Sequence, residues 1–272
     1  MEERKKIGRT IGIFDSGVGG LSVWRELLKI LPGTRMIYVS DSAYCPYGPR
    51  PQKEIVARSK AISAFLISQG ADVIVVACNT ATAASIEVLR ESFSIPFIGM
   101  EPAVKPAALN SRTGVIGVLA TQGTFRGRLY NRTRKEYASD IEVIEQIGSG
   151  LVELVEEGRT TGDEPARLIS KYVIPMVQKG ADHIVLGCTH YPFLKDEIAR
   201  IAGDGVTIVD PAPAVAKHTL ELIGEMGFEN GGIAPEYEQT MFYSTGSAEN
   251  LIRVARKILP SIPEGFFEEK TI

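Results

Sequence analysis

Shortages of cysteine, net charge and long apolar runs exclude several classes of protein for this sequence. Its 272 residues include three cysteines, which cannot all pair, so a disulfide-framed scaffold is excluded and free thiols are predicted. The formal net charge is only -3 at pH 7, which favours neither a nucleic-acid partner nor a membrane surface. No apolar run reaches the ~20 residues that span a bilayer, and no signal-peptide pattern precedes the first predicted strand. We therefore expect a cytoplasmic protein with no membrane partner.

Two stretches of sequence, 70–80 and 180–190, repeat one another. Each consists of a Gly-Ala-Asp turn, an apolar run and a cysteine at the end of the run, Cys78 in the first and Cys188 in the second. A short run rich in Val and Ile and bounded by turns predicts a strand buried on both faces. Both cysteines are therefore expected at the carboxyl ends of strands, where open parallel sheets hold their ligands. A helix N-terminus should follow each of them, and its partial positive charge favours a thiolate.

Two further repeats lie in the same order and at similar offsets along the chain. Residues 11–16 are echoed by 116–121, and residues 100–103 by 209–212. Three ordered matches predict a duplicated unit, and strands that alternate with helices throughout predict an α/β fold with mainly parallel sheets. We therefore expect two similar α/β domains related by a pseudo-twofold axis, with the active site in the cleft between them.

Two loops are candidates for the walls of that cleft. The loop Asp15–Gly20 is rich in glycine but lacks both the third glycine of a dinucleotide fingerprint and the Gly-Lys-Ser/Thr of a phosphate loop. Its glycines are expected either to let backbone amides approach a small anion or only to form a tight strand–helix turn. Residues 41–51 contain three prolines, which predict a stiff extended loop that cannot be a helix and that borders a pocket.

The pattern in the rest of the chain predicts further elements. They include a helix at about 123–137, a strand at 141–145, a long helix at 163–179 with a kink at Pro175, and a strand near 238–243.

Several conspicuous residues have an ordinary structural interpretation. Trp24 and His183 are expected to pack in the interior, and His218 is expected on a solvated helix face. The basic run within 126–135 is interpreted as another solvated helix face rather than a nucleic-acid site. Phe266 and Phe267 either pack against the body or mark a partner contact.

The paired occurrence of Cys78 and Cys188 suggests inversion at a carbon. If the two domains face each other, one thiolate can remove an acidic hydrogen while the opposite thiol delivers a proton to the other face. The pair then rests as one thiolate and one thiol, with coupled titrations. Asp15 and His190 are candidate proton partners, and general acid–base help of this kind is worth ~100- to 10,000-fold. A zinc site built from Cys78, Cys188 and His190 is the alternative, and it is disfavoured because the sequence has no CxxC pair.

No signature of pyridoxal phosphate, flavin or nicotinamide binding is present, so no cofactor is predicted. A carbanion would then be stabilised by preorganised hydrogen bonds and by exclusion of water. Neutral donors beside helix N-termini suit a carboxylate substrate without placing a lysine or arginine against its ammonium group. The candidate donors are Ser16, Asn79, Thr80, Thr121, Thr124 and Thr189.

Four motifs together resemble the bacterial glutamate racemase family, in family order and over nearly the whole chain. They are Asp15–Gly20, Cys45–Gly48, Ala77–Thr82 and Gly187–Pro192. The resemblance implies cofactor-independent interconversion of L- and D-glutamate, which supplies D-glutamate for peptidoglycan. It also implies that the C-terminal segment returns to the first domain. The predicted domains are 1–100 plus 211–272, on the Cys78 side, and 101–210, on the Cys188 side.

The same resemblance assigns roles to individual residues. Cys78 is implied to deprotonate D-glutamate and Cys188 to deprotonate L-glutamate, with Asp15 and His190 assisting their respective thiols. The implied substrate contacts are Asp15, Ser16, Tyr47, Gly48, Asn79, Thr80, Thr189 and His190. The acidic positions implied near the ammonium group or the thiols are Asp41 and Glu156, with Glu153 and Glu157 as neighbours that could face the site instead.

The resemblance further implies a homodimer, and the short N-terminal lead is similar to that of members needing no nucleotide activator. One rival interpretation is a racemase of the same superfamily acting on aspartate, although the Cys-Pro-Tyr-Gly and Cys-Thr-His-Tyr-Pro motifs favour glutamate. The rival from another class is a non-catalytic metal- or ligand-binding protein that uses the same thiols.

Overall fold

A computed structural model describes residues 9–227 and 240–272 of the chain. Strands and helices alternate through the described residues, as the sequence predicts. The strands are β1 (Thr10–Asp15), β2 (Arg35–Ser40), β3 (Val73–Val76), β4 (Phe97–Gly99), β5 (Val115–Ala120), β6 (Glu142–Ile147), β7 (His183–Gly187), β8 (Thr207–Val209), β9 (Thr240–Ser244) and β10 (Phe267–Glu269). The α-helices are α1 (Leu21–Ile30), α2 (Gln52–Ser68), α3 (Asn79–Ser92), α4 (Val104–Asn110), α5 (Gln122–Arg126), α6 (Arg128–Tyr137), α7 (Leu151–Glu156), α8 (Asp163–Gln178), α9 (Lys195–Ala202), α10 (Ala212–Glu225) and α11 (Glu249–Ile258).

The strands form two parallel sheets, which confirms the predicted pair of α/β domains. The first sheet has the order β10-β9-β2-β1-β3-β4, and the second has the order β6-β5-β7-β8. All the strand pairs are parallel. The four strands that begin each unit are thus arranged identically, with the second strand at one side of the first and the third and fourth at the other. The shared order is the structural counterpart of the repeat in the sequence.

Strand β3, which precedes Cys78, is apolar at every position because both of its faces are buried. Val73 and Val75 of β3 pack into one apolar cluster, and Ile74 and Val76 pack into another on the opposite face of the sheet. Helices cover both faces, so every residue of this strand is buried. A strand in that position needs apolar side chains at successive positions rather than at alternate ones.

The C-terminal segment completes the first sheet. Strand β9 pairs with β2, and β10 pairs with β9. The Phe242 ring of β9 stacks on Phe267 with a centroid distance of 4.8 Å and meets Trp24 edge-on at 5.1 Å. Trp24 is fully buried, as expected, and Phe267 packs against the body. Of the strand predicted near 238–243, the first two residues lie outside the described residues.

Two sequence-based predictions about local structure were wrong. The single helix expected at 123–137 is two helices, α5 and α6, because Gly127 between them adopts an extended conformation. Glycine is the weakest helix former after proline, so a helix breaks readily there. The loop at 41–51 also contains one turn of 3-10 helix at Ser42–Tyr44, ahead of its prolines.

The two histidines outside the site, His183 and His218, lie where the sequence predicted. His183 is mostly buried and shares a hydrogen bond of 2.8 Å with Asp182, and His218 is exposed. Within the basic run, Arg126, Arg128 and Arg132 are exposed. None of the helices in residues 9–227 and 240–272 is long and apolar enough to cross a bilayer.

Candidate active site

The order of strands creates a crevice at the carboxyl end of each sheet. In the first sheet β1 has β2 on one side and β3 on the other, and in the second sheet β5 lies likewise between β6 and β7. Connections that leave in opposite directions from a central strand open a ligand crevice outside the strand ends. Asp15 ends β1 and Cys78 follows β3, while Thr121 follows β5 and Cys188 follows β7.

A cavity of about 340 Å³ lies at these strand ends and is lined from both sheets. Its volume falls within the ~300–1,000 Å³ typical of small-molecule sites. The residues named from the sequence that line it are Ser16, Tyr47, Gly48, Cys78, Asn79, Thr80, Thr121, Glu153, Cys188, Thr189 and His190. Five others, Asp15, Asp41, Thr124, Glu156 and Glu157, do not line it.

The sequence analysis missed the turn that follows β6. Gly148, Ser149 and Gly150 line the cavity, together with Val152 of α7. A Gly-Ser-Gly turn at the carboxyl end of a predicted strand is the signal that could have identified them, because ligands collect at that edge of a parallel sheet.

Cys78 caps helix α3. Its sulfur accepts a hydrogen bond from the Ala81 amide at 3.4 Å and donates to Ser16 Oγ at 3.9 Å. Burial and the nearby Asp15 charge raise the pKa of Cys78 well above the ordinary thiol value, more than these contacts lower it. The helix N-terminus favours a thiolate at Cys78 through the Ala81 amide, as expected, but burial outweighs this effect.

Cys188 lies at one end of a chain of three side chains. His190 Nδ1 is 3.8 Å from Cys188 Sγ, and His190 Nε2 is 2.7 Å from Glu156 Oε1. Glu156 also accepts a hydrogen bond from the Val18 amide at 2.8 Å. The chain connects the thiol to a carboxylate through an imidazole.

His190 and Glu156 shift each other's pKa in opposite directions. Burial opposes a charge on His190, but hydrogen bonds to Cys188, Cys45 and Glu156 outweigh it and raise its pKa well above 6.5. Burial likewise opposes a charge on Glu156, and the hydrogen bond and positive charge of His190 outweigh it, so the pKa of Glu156 is lowered. The two form a buried imidazolium–carboxylate pair.

Of the three neighbouring glutamates at 153, 156 and 157, the first two face this region and the third does not. Glu153 lines the cavity, and Glu156 lies one turn later on the same side of the helix, where it meets His190. Glu157 follows the end of the helix and pairs with Arg159 at the surface.

Asp15 lies behind the cavity wall and joins the two halves of the protein. It is fully buried, and it accepts hydrogen bonds from the Gly17 amide at 2.7 Å and from Thr189 Oγ1 at 2.9 Å. Burial raises its pKa, although the His190 charge and these two donors oppose the rise.

The glycines of the loop after β1 make room for the other half of the site. A Cβ on Gly17 would lie 1.8 Å from Glu156 Oε1, and a Cβ on Gly19 would lie 2.3 Å from His190 Nδ1. Any larger residue would collide with these two side chains. The loop therefore does more than turn the chain, because it allows the acidic and imidazole groups of the second half to approach β1.

Asp41 supports one wall of the cavity from behind. Its carboxylate accepts two hydrogen bonds from Arg58, at 3.0 and 2.7 Å, one from Tyr47 Oη at 2.5 Å and one from Thr245 Oγ1 at 2.8 Å. All its strong acceptor positions are engaged by protein groups. Asp41 thus holds the ring of Tyr47, which lines the cavity next to Gly48.

Neutral polar groups face the cavity between the sheets. The buried side-chain oxygen and nitrogen of Asn79 have no hydrogen-bond partner within the described structure. Thr80 Oγ1 and Thr121 Oγ1 lie 2.8 Å apart and connect the two halves, and Thr124 supports Thr121 at 3.0 Å. An unpartnered buried amide on a cavity wall is costly unless a ligand uses it.

Comparison with known proteins agrees with this geometry. A family model described as Asp/Glu/hydantoin racemase matches residues 11–219. A glutamate racemase from Herpetosiphon aurantiacus is 49% identical over 213 residues, which cover 78% of this chain and 84% of that protein. The chain belongs to the glutamate racemase family. It is accordingly an isomerase, and the family resemblance seen in its motifs is confirmed.

Solved structures of glutamate racemases share the fold. One from Francisella tularensis, in complex with D-glutamate, is 30% identical, with a TM-score of 0.81 and 97% of each chain covered. One from Escherichia coli, in complex with L-glutamate and the activator UDP-MurNAc-ala, is 32% identical, with a TM-score of 0.82. That match covers 92% of this chain and 95% of the other.

Replacing Glu156 with glutamine is expected to lower the free energy of unfolding by about 2–4 kcal/mol near pH 5.5, because the buried His190 cation loses its counter-charge. The lowered pKa of Glu156 contributes stability above about 4.5, and this contribution is lost as the pH falls through the folded value. The raised pKa of His190 contributes stability below about 6.5, and this contribution is lost as the pH rises through the folded value.

The difference between the wild type and the Glu156→Gln variant should therefore be greatest between about pH 4.5 and 6.5. Urea unfolding at a series of pH values measures it. Glu157→Gln is the matched control, because this exposed neighbour should change stability by less than about 0.5 kcal/mol. A loss of equal size at every pH would show that the ion pair does not stabilise the fold.

Proposed function

We propose that this protein interconverts L- and D-glutamate without a cofactor, by proton transfer between two cysteines on opposite sides of the substrate. The observation that carries the proposal is that Cys78 and Cys188, which follow equivalent strands of two sheets, both line one cavity. Relatives in complex with D-glutamate and with L-glutamate support the choice of substrate.

The lining of the cavity suits an amino acid with an extra carboxylate. Ser16, Thr80 and Thr189 offer hydroxyls, and the Asn79 amide is free to bond a carboxylate. No lysine or arginine occurs among the described residues that line the cavity, and the His190 imidazolium at its edge is paired with Glu156. Glu153 supplies a carboxylate on the wall that can bind the ammonium group.

The resting protonation state sets the first step. Burial keeps Cys78 a neutral thiol, so the two-thiol scheme assigns the starting base to Cys188, whose sulfur lies 3.8 Å from His190 Nδ1. This form accepts L-glutamate: the Cys188 thiolate takes the α-proton, and the Cys78 thiol gives its own proton to the opposite face of the carbanion. The product is D-glutamate, and the protonation states of the two sulfurs are exchanged.

The reverse reaction begins from that exchanged form. The Cys78 thiolate removes the α-proton of D-glutamate, and the Cys188 thiol donates to the opposite face. Asp15 is the proton partner of Cys78, and His190 with Glu156 is the partner of Cys188. These partners return the thiols to their starting states by exchanging protons with solvent between turnovers.

We also propose that the D-glutamate serves peptidoglycan synthesis, that the enzyme acts in the cytoplasm and that it is a homodimer. The family resemblance supports all three. Analytical ultracentrifugation tests the dimer directly, and a sedimentation coefficient that fits only the monomer mass at every concentration would exclude it.

Circular dichroism of the substrate solution tests the proposed activity. L-glutamate and D-glutamate should each lose optical activity with the pure protein in buffer containing EDTA, and aspartate should react about 10- to 200-fold more slowly because it lacks one methylene. In deuterated water the product should carry solvent deuterium at the α-carbon. Product that keeps its original hydrogen would contradict the two-thiol scheme, and faster racemisation of aspartate would reassign the substrate.

A further inference from the structure

The third cysteine, Cys45, has no part in the proposed reaction, but it forms a cluster with two residues of the Cys188 proton relay. Cys45 Sγ, Glu156 Oε1 and His190 Nε2 all lie within 4.8 Å of one another. The sulfur is 3.5 Å from the Glu156 oxygen, which is 2.7 Å from the His190 nitrogen. The three side chains come from the loop after β2, the end of α7 and the loop after β7.

These atoms have the types and spacing of a zinc ligand set. Thiolate, imidazole and carboxylate bind Zn²⁺ at ~2.3, ~2.0 and ~2.1 Å, which places sulfur and oxygen about 3.6 Å apart around a tetrahedral ion. The observed separation of Cys45 Sγ and Glu156 Oε1, 3.5 Å, matches that spacing. Nitrogen and oxygen ligands lie about 3.4 Å apart. His190 and Glu156 would therefore separate by less than 1 Å to admit the ion, leaving its fourth position to water.

We propose that Cys45, Glu156 and His190 form a binding site for a thiophilic divalent cation, of which Zn²⁺ is the type, and that its occupation inhibits the enzyme. The site differs from the zinc set considered from the sequence, because it uses neither Cys78 nor Cys188. Binding releases the Cys45 thiol proton and the Nε2 proton of His190 to solvent, while Nδ1 of the same ring still faces Cys188.

The predicted inhibition rests on the proposed function. It follows because the metal occupies the Nε2 atom of His190. An imidazole whose Nε2 is bound to a metal cannot pass a proton between Cys188 and Glu156. The ion also takes the carboxylate oxygen that accepts the hydrogen bond from His190. The Cys188 thiol formed when L-glutamate reacts then has no free imidazole through which to pass its proton on, so turnover stops.

Cys45→Ser is the variant that isolates the site. A serine hydroxyl preserves a hydrogen bond to Glu156 but is a poor zinc ligand. Cys45 does not line the cavity, and a serine hydroxyl can replace its hydrogen bonds to Glu156 and His190, so the variant should keep its racemase activity within about twofold in EDTA. Cys78→Ala is the opposite control, because it removes a thiol from the cavity and leaves the cluster intact.

Titration with Co²⁺ measures metal binding at the site without relying on racemase activity. The wild type should bind one equivalent and show a sulfur-to-cobalt charge-transfer band in the near ultraviolet, which Zn²⁺ abolishes. Cys78→Ala should keep the band, and Cys45→Ser should lose it. In activity assays, Zn²⁺ should inhibit the wild type reversibly, and Cys45→Ser should need at least tenfold more Zn²⁺ for half-inhibition.

Two results would overturn the proposal. The first is a charge-transfer band that persists in Cys45→Ser and disappears in Cys78→Ala, which would assign the ion to the cavity thiols. The second is the absence of a band in the wild type at stoichiometric Co²⁺. If the protein failed to racemise glutamate, the proposed function would fall while the cobalt titration still decided the metal site.

Discussion

Alanine in place of either Cys78 or Cys188 should lower kcat for racemisation at least ~1,000-fold in both directions. Each turnover needs a base on one face of the substrate and an acid on the other, and either variant lacks one of them. Both side chains are small, so their loss should cost no more than about 2 kcal/mol of folding stability. Circular dichroism of the substrate measures racemisation, and thermal unfolding shows that the fold persists.

Hydrogen exchange in deuterated water shows in addition which thiol acts on which enantiomer. In Cys188→Ala, Cys78 can still remove a proton and return a deuteron on its own face, so D-glutamate should gain deuterium without inversion. In Cys78→Ala, the same should hold for L-glutamate alone. Cys45→Ser serves as the thiol control and should racemise normally. Exchange of both enantiomers by one single-cysteine variant would show that another group supplies the missing base.

Replacing His190 with asparagine should lower kcat/KM about 100-fold or more, because Cys188 loses the proposed proton partner whose Nδ1 lies 3.8 Å from its sulfur. The two enantiomers are equal in free energy, so kcat/KM must fall equally in both directions. The asymmetry should instead appear in the isotope effects. Removal of the α-proton from L-glutamate becomes more rate-limiting, so the deuterium effect with α-deuterated L-glutamate should rise, and that with D-glutamate should fall.

His218→Asn is the matched control, since His218 lies exposed on α10 and should change neither the rate nor the isotope effects. Asp15→Asn should show the opposite asymmetry, with the larger isotope effect from D-glutamate, because the proposed mechanism makes Asp15 the proton partner of Cys78. If His190→Asn gave equal isotope effects with the two enantiomers, His190 would not be the group that assists proton transfer at Cys188.

Local patterns in the sequence were sufficient to place the two thiols. A Gly-Ala-Asp turn, an apolar run and a cysteine determine a buried strand and the residue at its carboxyl end, and the structure has β3 before Cys78 and β7 before Cys188. Parallel pairing then brings strand ends to one edge of each sheet. Such inferences need only the short-range pattern and the general rules of α/β folds.

Properties that depend on distant parts of the chain were not accessible from the sequence. The pKa of Cys78 is governed by burial and by Asp15, and both follow from tertiary packing. The choice of Glu156 over Glu157 depends on where α7 ends relative to His190. Asp41 was expected near the substrate, but Arg58, Tyr47 and Thr245 engage its carboxylate, and only the folded chain brings Arg58 and Thr245 to it.

The hydrogen bonds that join the two halves of the molecule are distributed unevenly. On the side of the loop after β1, Thr189 bonds Asp15, Glu156 accepts from Val18, and Ser22 Oγ donates to the Thr189 carbonyl at 3.0 Å. On the opposite side the Thr80–Thr121 contact and an exposed ion pair between Arg128 and Glu87 cross between them. Each buried bond is worth about 0.5–1.5 kcal/mol and the exposed pair less, so the loop side should act as a hinge and the threonine side should part first. Glutamate would then come and go past the threonines, while the proton relay of Cys188 stays assembled throughout the cycle.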